Sequence, residues 1–264
     1  MELDEVVLDV DAALVEVHSA NKEAAASSYK GGYGFHPMFC FADATGEALA
    51  GILRPGNATA NSGADQLAVV DHALAQLPDA YRSGHGSGDG AEEVEHRVVV
   101  RADTAGAVAT FVHALVARNI EFTVGGRVND QLSAAIATVP RDRWRRAVDD
   151  DDQVRYAGEE AELDVELAGW PPGTRAICRR EQPHPGAQLR LWDLDGWRHQ
   201  VTLTNSAGDA VALERRQRRH ARVENSIKAL RATGWTACPS AASPPTRRGW
   251  SWSSGRPTSW PGCA

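Results

Sequence analysis

The sequence has few cysteines and no long apolar run. Its four cysteines, at positions 40, 178, 238 and 263 of 264, form no Cys-x-x-Cys pair and have no zinc-ligand spacing. This pattern indicates neither a disulfide framework nor a metal knuckle. No apolar run reaches the roughly 18 residues that a membrane helix needs, and acids at positions 2, 4 and 5 occupy the place of a signal peptide's basic start. A cytoplasmic protein without a membrane partner is expected.

Lysine is also scarce, because 25 of the 28 basic residues are arginine, and 35 acidic residues give a net charge of -7. Overall acidity disfavours a general nucleic-acid binder, since it repels phosphate. It still permits a local basic surface. Such a surface is expected between residues 209 and 234, where seven Lys or Arg stand against three acids.

The last thirty residues, 235–264, contain no Asp, Glu, Lys, Leu, Ile, Val, Met, Phe or Tyr, but four of the eight Trp and five of the thirteen Pro. They cannot form a periodic apolar face, so we predict that they are disordered. One choice of codons for residues 238–254 encodes an apolar, helical string in the neighbouring reading frame. We therefore hypothesise a frameshift near residues 233–237.

The rest of the chain alternates strands and helices in the order β-β-β-α-β-α-β, which predicts an α/β fold with a mixed sheet and helices on its faces. Residues 1–126 would form the first part of this core. The expected strands are 5–17, 34–43, 47–54, 94–103 and 120–124, and the expected helices are 61–77 and 104–118.

Residues 127–205 have a different pattern, which we interpret as a β-rich insertion. A helical piece near 130–147 and an acidic loop at 149–152 precede short strand-like runs separated by Pro and Gly. A helix capped by Ser206 or Asp209 then runs to about Ala232 and completes the core over 206–234. The strand-like runs are 163–168, 175–179, 188–193 and 198–203.

Three acids could carry chemistry on the strands. Asp9 and Asp11 share one face of the first strand, where a buried carboxylate is costly unless it is paired or bound to metal; on an edge strand both would be solvated. Asp103 ends the strand 94–103 at the carboxyl edge, where α/β sheets build their sites. It could equally cap the helix that follows.

A further acid lies within the basic helix. His220, Glu224, Lys228 and Arg231 have the spacing i, i+4, i+8 and i+11, so they would share one face of a continuous helix. A Glu among cations suits a metal ligand beside a DNA backbone. A plain solvated helix face is the alternative.

Four segments, in this order, resemble the catalytic domain of bacterial insertion-sequence transposases of the Asp-Asp-Glu (DDE) type, in the group whose last motif is Tyr-Arg-Glu-Lys or a variant. The resemblance covers about residues 4–234. It implies a ribonuclease-H-like mixed sheet flanked by helices, with a β-rich insertion before the last catalytic helix. The segments are LDVDAALVEVHS (8–19), YKGGYGFHPMFCFADATGEALAGILRPGN (29–57), RVVVRADTAG (97–106) and RHARVENSIKALRATG (219–234).

The resemblance implies that Asp11, Asp103 and Glu224 are the catalytic acids and metal ligands, with Asp9 as a less suitable first acid. Three such carboxylates would hold two ions of Mg²⁺ or Mn²⁺ for phosphoryl transfer. The implied partners are transposon-end and target DNA, and a second copy in a homodimer. The implied DNA-binding residues are Arg219, His220, Arg222, Lys228 and Arg231.

The chain departs from this family at both ends. Family members normally have a DNA-end-binding region before the first catalytic strand, and here Met1 almost begins that strand. We therefore expect a truncated, frameshifted core whose own activity is in doubt.

Two other functions are considered. Asp9-Val10-Asp11-Ala12-Ala13 approximates the DxDx(T/V) motif of haloacid-dehalogenase-like phosphatases, with Asp9 as nucleophile and Asp11 as general acid. Ala13 departs from that motif, and no later Gly-Asp-x-x-x-Asp segment supplies the metal. The other is a non-catalytic fragment that binds DNA or interferes with an intact transposase.

Overall fold

The computed structural model describes residues 4–17, 22–86, 94–184, 186–188, 193, 195–232 and 250–251. The strands are β1 (Glu5–Ala12), β2 (Val15–Glu16), β3 (Ala26–Ser27), β4 (Tyr33–Phe35), β5 (Met38–Ala42), β6 (Ala48–Ile52), β7 (Arg97–Ala102), β8 (Glu121–Gly126), β9 (Arg145–Val148), β10 (Val154–Leu163), β11 (Arg175–Glu181), β12 (Arg198–Thr204) and β13 (Trp250–Ser251). The α-helices are α1 (Gly63–Leu74), α2 (Asp79–Arg82), α3 (Ala109–Val116), α4 (Asp130–Thr138), α5 (Ala210–Arg218) and α6 (Val223–Ala232). No helix among these residues is long and apolar enough to cross a membrane.

Ten strands form one mixed sheet in the order β13-β6-β5-β1-β7-β8-β12-β11-β10-β9. Strand β1 lies antiparallel to β5 and parallel to β7, and β7 lies parallel to β8. The order β6-β5-β1-β7-β8, with these directions, is ribonuclease-H-like. The expected α/β fold, a mixed sheet flanked by helices, is confirmed.

Alternation along β1 places its two faces in different surroundings. Leu8 and Val10 are buried in the main core, which α1 and α3 cover, whereas Asp9 lies on the opposite face. The expected division into an apolar and an acidic face is therefore confirmed for residues 5–12. The strand expected over 5–17 ends at Ala12, and Val15–Glu16 belongs to a separate three-stranded sheet, β2-β4-β3. Helix α1 begins where expected, because the Ser62 hydroxyl accepts from the Asp65 backbone N–H at 3.3 Å.

The strands of residues 127–205 do not form a separate sheet. Strand β12 pairs antiparallel with β8, and β11, β10 and β9 follow it outward. The β-rich character of this region is confirmed, and its strands extend the core sheet. The division of the chain into domains stays a prediction.

Several expected elements differ from the observed ones. The helix expected over 130–147 ends at Thr138, because Pro140 interrupts it, and residues 145–148 form a strand instead. Residues 163–168 mostly lie beyond the end of β10. The helix expected over 104–118 is divided into a 3₁₀ turn, Thr104–Gly106, and α3.

Part of the expected loop 83–90, part of the strand expected over 188–193, and residues 233–249 and 252–264 lie outside the described residues. Within the tail for which we predict disorder, Trp250 and Ser251 pair with Gly51 and Ala50 of β6.

Candidate active site

Sheet register brings two of the expected acids together. Val10 of β1 is the register partner of Ala102 of β7, and these strands are parallel. The residues that follow this pair are Asp11, still on β1, and Asp103, directly after β7, so both lie at the same level of the sheet. Because neighbouring strands are about 4.8 Å apart, the two backbones are adjacent there.

Both acids line a cavity of about 450 Å³ at this edge of the sheet, together with residues that include Tyr29, His36 and Gln66. Asp103 also caps the 3₁₀ turn, since its Oδ1 accepts from the Ala105 backbone N–H at 2.8 Å. The two alternatives for Asp103 are therefore compatible. A capping carboxylate still has a second oxygen available to a ligand.

The electrostatics of Asp11 connect it to both other expected acids. Burial raises the pKa of Asp11 above its ordinary value, and the charges of Asp103 and Glu224 raise it further, although the Ala12 N–H bond and His220 act in the opposite direction. Two neighbouring carboxylates destabilise the charged form of Asp11, and a bound cation would offset this repulsion.

Asp9 has a different environment. It is 2% exposed, and its two oxygens accept from Arg101 Nε at 2.6 Å and Nη2 at 2.7 Å. His220 Nδ1 donates to the same carboxylate at 2.8 Å. Burial acts to raise the pKa of Asp9, but these hydrogen bonds outweigh it and lower the pKa. Asp9 is thus engaged in a buried ion-pair network and is not among the residues that line the cavity.

Glu224 lies in the first turn of α6 and is exposed, with Lys228 Nζ 3.9 Å from its Oε2. It is not among the residues that line the cavity. In the described part of the chain, no group of three or more His, Cys, Asp or Glu side chains could hold a metal ion. The structure therefore brings Asp11 and Asp103 to one cavity and places Glu224 apart from it.

The donor chemistry of Asp11 and Asp103 fits a hard divalent cation. Their hydrogen bonds are short-range contacts to the backbone, from Ala12 at 2.7 Å and Ala105 at 2.8 Å. Neither acid forms a salt bridge among the described residues. Oxygen ligands of this kind suit Mg²⁺ or Mn²⁺.

The basic segment is not one continuous α-helix. Asp209 caps α5 as expected, and a 3₁₀ turn, Arg219–Arg222, then separates α5 from α6. A 3₁₀ turn advances 120° per residue rather than 100°, so four residues rotate the following helix by about 80°. Glu224, Lys228 and Arg231 remain exposed, whereas His220 is buried. In this conformation His220 cannot present its ring to DNA.

The other expected DNA-binding cations lie at the surface. Arg219 and Arg222 both pair with Asp150, at 3.2 and 2.7 Å, and Arg231 donates to the Leu14 carbonyl at 2.8 Å. Asp150 belongs to the acidic loop 149–152 that follows β9. The basic surface is therefore partly neutralised by the chain itself.

Sequence reasoning missed two residues beside the site. Arg101, fully buried, binds Asp9 and also donates to Asp43 Oδ1 at 2.7 Å. Gln217 Nε2 donates to the Ala102 carbonyl at 2.7 Å. The signal for Arg101 was available, because a charge inside the apolar run VVVRA needs a buried partner. No local signal distinguishes Gln217 among its polar neighbours.

The sheet and its helices define a ribonuclease-H-like α/β protein. The family model described as "Transposase DDE domain group 1" matches residues 1–243. The chain therefore belongs to this family of transposase DDE domains, and the resemblance seen in the sequence is confirmed.

No curated protein matches the chain. Among solved structures, a piggyBac transposase in a synaptic complex with hairpin DNA is similar, with a TM-score of 0.44 and 10% identity. The match covers 86% of this chain and 40% of that chain.

Proposed function

We propose that the chain is the catalytic domain of a DDE transposase, in which Asp11, Asp103 and Glu224 hold divalent metal ions for cutting and joining DNA strands. The observation that supports this most directly is that Asp11 and Asp103 lie at the ends of adjacent strands and line the same cavity. The raised pKa of Asp11, caused by burial first and then by Asp103 and Glu224, adds electrostatic support.

The acids would have distinct parts in this chemistry. Asp11 and Asp103 would hold Mg²⁺ or Mn²⁺ at the cavity, and Glu224 would complete the ligand set from α6. The bound ions would activate a water or a DNA 3′-hydroxyl and stabilise the leaving oxygen of the phosphodiester. Asp9 is not assigned to this set, because Arg101 and His220 already occupy its oxygens.

The cations around Glu224 would bind the DNA backbone beside the acids. Arg219, Arg222, Lys228 and Arg231 are at least partly exposed on the same helical segment, and each can contact phosphate. DNA ends and target DNA are therefore the proposed partners, and the homodimer stays a prediction. His220 is left out of this surface because it is buried against Asp9.

Strand cleavage by the purified full chain tests the proposal. The substrate is a labelled duplex built from the DNA that flanks its gene, with Mg²⁺ or Mn²⁺. Asp103→Asn keeps an oxygen that can accept from Ala105 but removes the charge, so it should remain folded and lose about 10²–10³-fold or more in rate. Asp151→Asn, an exposed acid of the loop 149–152, should keep the wild-type rate.

The outcome also decides between catalysis and binding alone. Metal-dependent nicking that is lost in Asp103→Asn supports the proposal. Duplex binding with no cleavage in either metal would contradict it and favour the non-catalytic DNA-binding fragment. Equal rates for Asp103→Asn and the wild type would mean that another group performs the reaction.

A further inference from the structure

Polar contacts attach the helical segment that carries Glu224 to the strands that carry the other two acids. Gln217, in the last turn of α5, donates from Nε2 to the Ala102 carbonyl at 2.7 Å. Its Oε1 accepts from the buried Thr123 hydroxyl at 3.0 Å. Ala102 directly precedes Asp103, so Gln217 binds the backbone of β7 one residue from that acid.

His220 forms the corresponding attachment to β1. Its Nδ1 donates to Asp9 Oδ1 at 2.8 Å, and Asp9 lies two residues before Asp11. Arg101 holds the Asp9 carboxylate in place and also donates from Nη1 to the Arg216 carbonyl at 2.6 Å. The end of α5 and the 3₁₀ turn are therefore bonded to both acid-bearing strands.

Among the described residues, Glu224 has no such attachment of its own. Its side chain is exposed, and its salt bridge to Lys228 has a long N–O distance of 3.9 Å. The buried side of α6 packs through Val223 and Ile227 against apolar residues of β5 and against Ala13, the residue that follows β1. Apolar packing sets the distance of a helix from the sheet but is not directional. Hydrogen bonds are directional, so a contact such as that of His220 can set the rotation of the helix about its axis and its position along the strands.

We propose that Gln217 and His220 are positioning residues that set the place of Glu224 relative to Asp11 and Asp103. They act through the backbone of the segment and contact neither metal nor DNA. This inference rests on the proposed function and assigns His220 a role different from the DNA contact that the sequence suggests. A misplacement of about 1 Å can cost about a hundredfold in rate, so the three hydrogen bonds that these two side chains form are enough to matter.

The experiment compares His220→Leu and Gln217→Leu with a conservative rescue, His220→Asn, whose amide keeps an N–H donor near the place of Nδ1. Asp9 remains paired with Arg101 in each of these variants, which limits the cost to folding. His113→Leu and Gln131→Leu are matched controls. Each removes the same kind of side chain, bonded at the surface to a backbone carbonyl at 3.1 or 2.8 Å.

Rates of cleavage of the end duplex are measured against DNA and Mg²⁺ concentration. For His220→Leu and Gln217→Leu we expect kcat to fall by about a hundredfold, KM for DNA to stay the same, and the half-activating Mg²⁺ concentration to rise severalfold. His220→Asn should return to within about threefold of the wild type. A role in general stability would lower the melting temperature without changing the Mg²⁺ requirement.

Other results would overturn the inference. An unchanged kcat and Mg²⁺ requirement in His220→Leu would show that its bond to Asp9 does not position the acid. A raised KM with unchanged kcat would show that His220 binds DNA. If the wild type neither cleaves DNA nor binds Mn²⁺ in calorimetry, the proposed function is wrong, but the attachment of α6 through His220 can still be tested. Hydrogen exchange of the α6 amides is the test: faster exchange in His220→Leu than in His113→Leu supports the attachment, and equal exchange refutes it.

Discussion

Arginine and aspartate form ion pairs at two places around the candidate site, one in the interior and one at the surface. Inside, the fully buried Arg101 binds Asp9 and Asp43. Outside, Arg219 and Arg222, with side chains 34% and 51% exposed, bind Asp150. The residue types and distances are similar, but the exposure of the two groups to water differs.

This difference separates a contact that fixes structure from one that can be exchanged. Removing one partner of a buried pair leaves an uncompensated charge away from water, which costs several kcal/mol. An exposed pair is worth about 0–1 kcal/mol, because water and salt can replace either partner. The interior network would therefore hold the strands and the helical segment together, while the surface pairs can give way to DNA phosphates.

Breaking the buried network should have the largest effect. Arg101→Met strips Asp9 and Asp43 of their common cation, so we expect a loss of about 3–5 kcal/mol in the free energy of unfolding, measured with urea. Arg97→Met is the control, since Arg97 lies on the same strand, is half exposed, and pairs with Glu5 at 3.0 Å. It should lose no more than about 1 kcal/mol. Equal losses would remove the distinction between interior and surface.

Glu160 sharpens the comparison because it is a buried carboxylate without a salt bridge in the described part of the chain. It is 1% exposed, and the nearby Arg179 and Arg218 both pair with Glu214. Burial first, and then the Glu214 carboxylate, raise the pKa of Glu160 to about 9. The folded protein therefore keeps a proton that the unfolded chain loses near pH 4.5.

Between those two pH values the unfolded state binds fewer protons, so stability falls as pH rises. Glu160→Gln cannot titrate. Relative to the wild type, it should gain about 3–4 kcal/mol of unfolding free energy between pH 5 and pH 8, because each pH unit between the two pKa values contributes about 1.4 kcal/mol. Glu162→Gln, on the same strand and paired with Arg175 at 2.6 Å, is the control. Its difference from the wild type should stay constant over this range, because the pKa of Glu162 is lowered by the Arg175 hydrogen bond. A constant difference for Glu160→Gln would refute a shifted pKa.

Elements with a local signal could be predicted from the sequence. The alternation in β1, the Ser62 cap of α1 and the Asp209 cap of α5 depend on side chains within a few residues, and all three are confirmed. Pro140 was also a local signal, and it should have ended the helix expected over 130–147.

The placement of His220 could not be predicted in this way. The partner that buries it, Asp9, is 211 residues away in sequence, and nothing in RRHARVE marks a 3₁₀ turn. The proximity of Asp11 and Asp103 could be predicted from the sequence, because parallel strands align their carboxyl ends. Glu224 is not among the residues that line their cavity, and no local signal in the sequence revealed this.

The smallest expected effect concerns the surface pairs and would show whether they are exchangeable. Asp150 binds Arg219 and Arg222, two of the residues proposed to bind DNA phosphates. Burial acts to raise the pKa of Asp150, but hydrogen bonds from Arg222 and Arg219 lower it. Asp150→Asn frees both cations, so we expect DNA to bind about three- to tenfold more tightly in a fluorescence anisotropy titration. Because these pairs are exposed, unfolding free energy should change by less than about 1 kcal/mol.

Asp151→Asn separates pairing from overall charge. It removes the same charge from the same loop, but the Asp151 side chain forms no ion pair among the described residues, and only its backbone is bonded. A smaller gain than in Asp150→Asn is expected, and the advantage of Asp150→Asn should shrink as salt is added, because salt screens exposed charges. Equal gains in the two variants would mean that the loop acts only through its general field. In that case Asp150 does not compete with phosphate for Arg219 and Arg222.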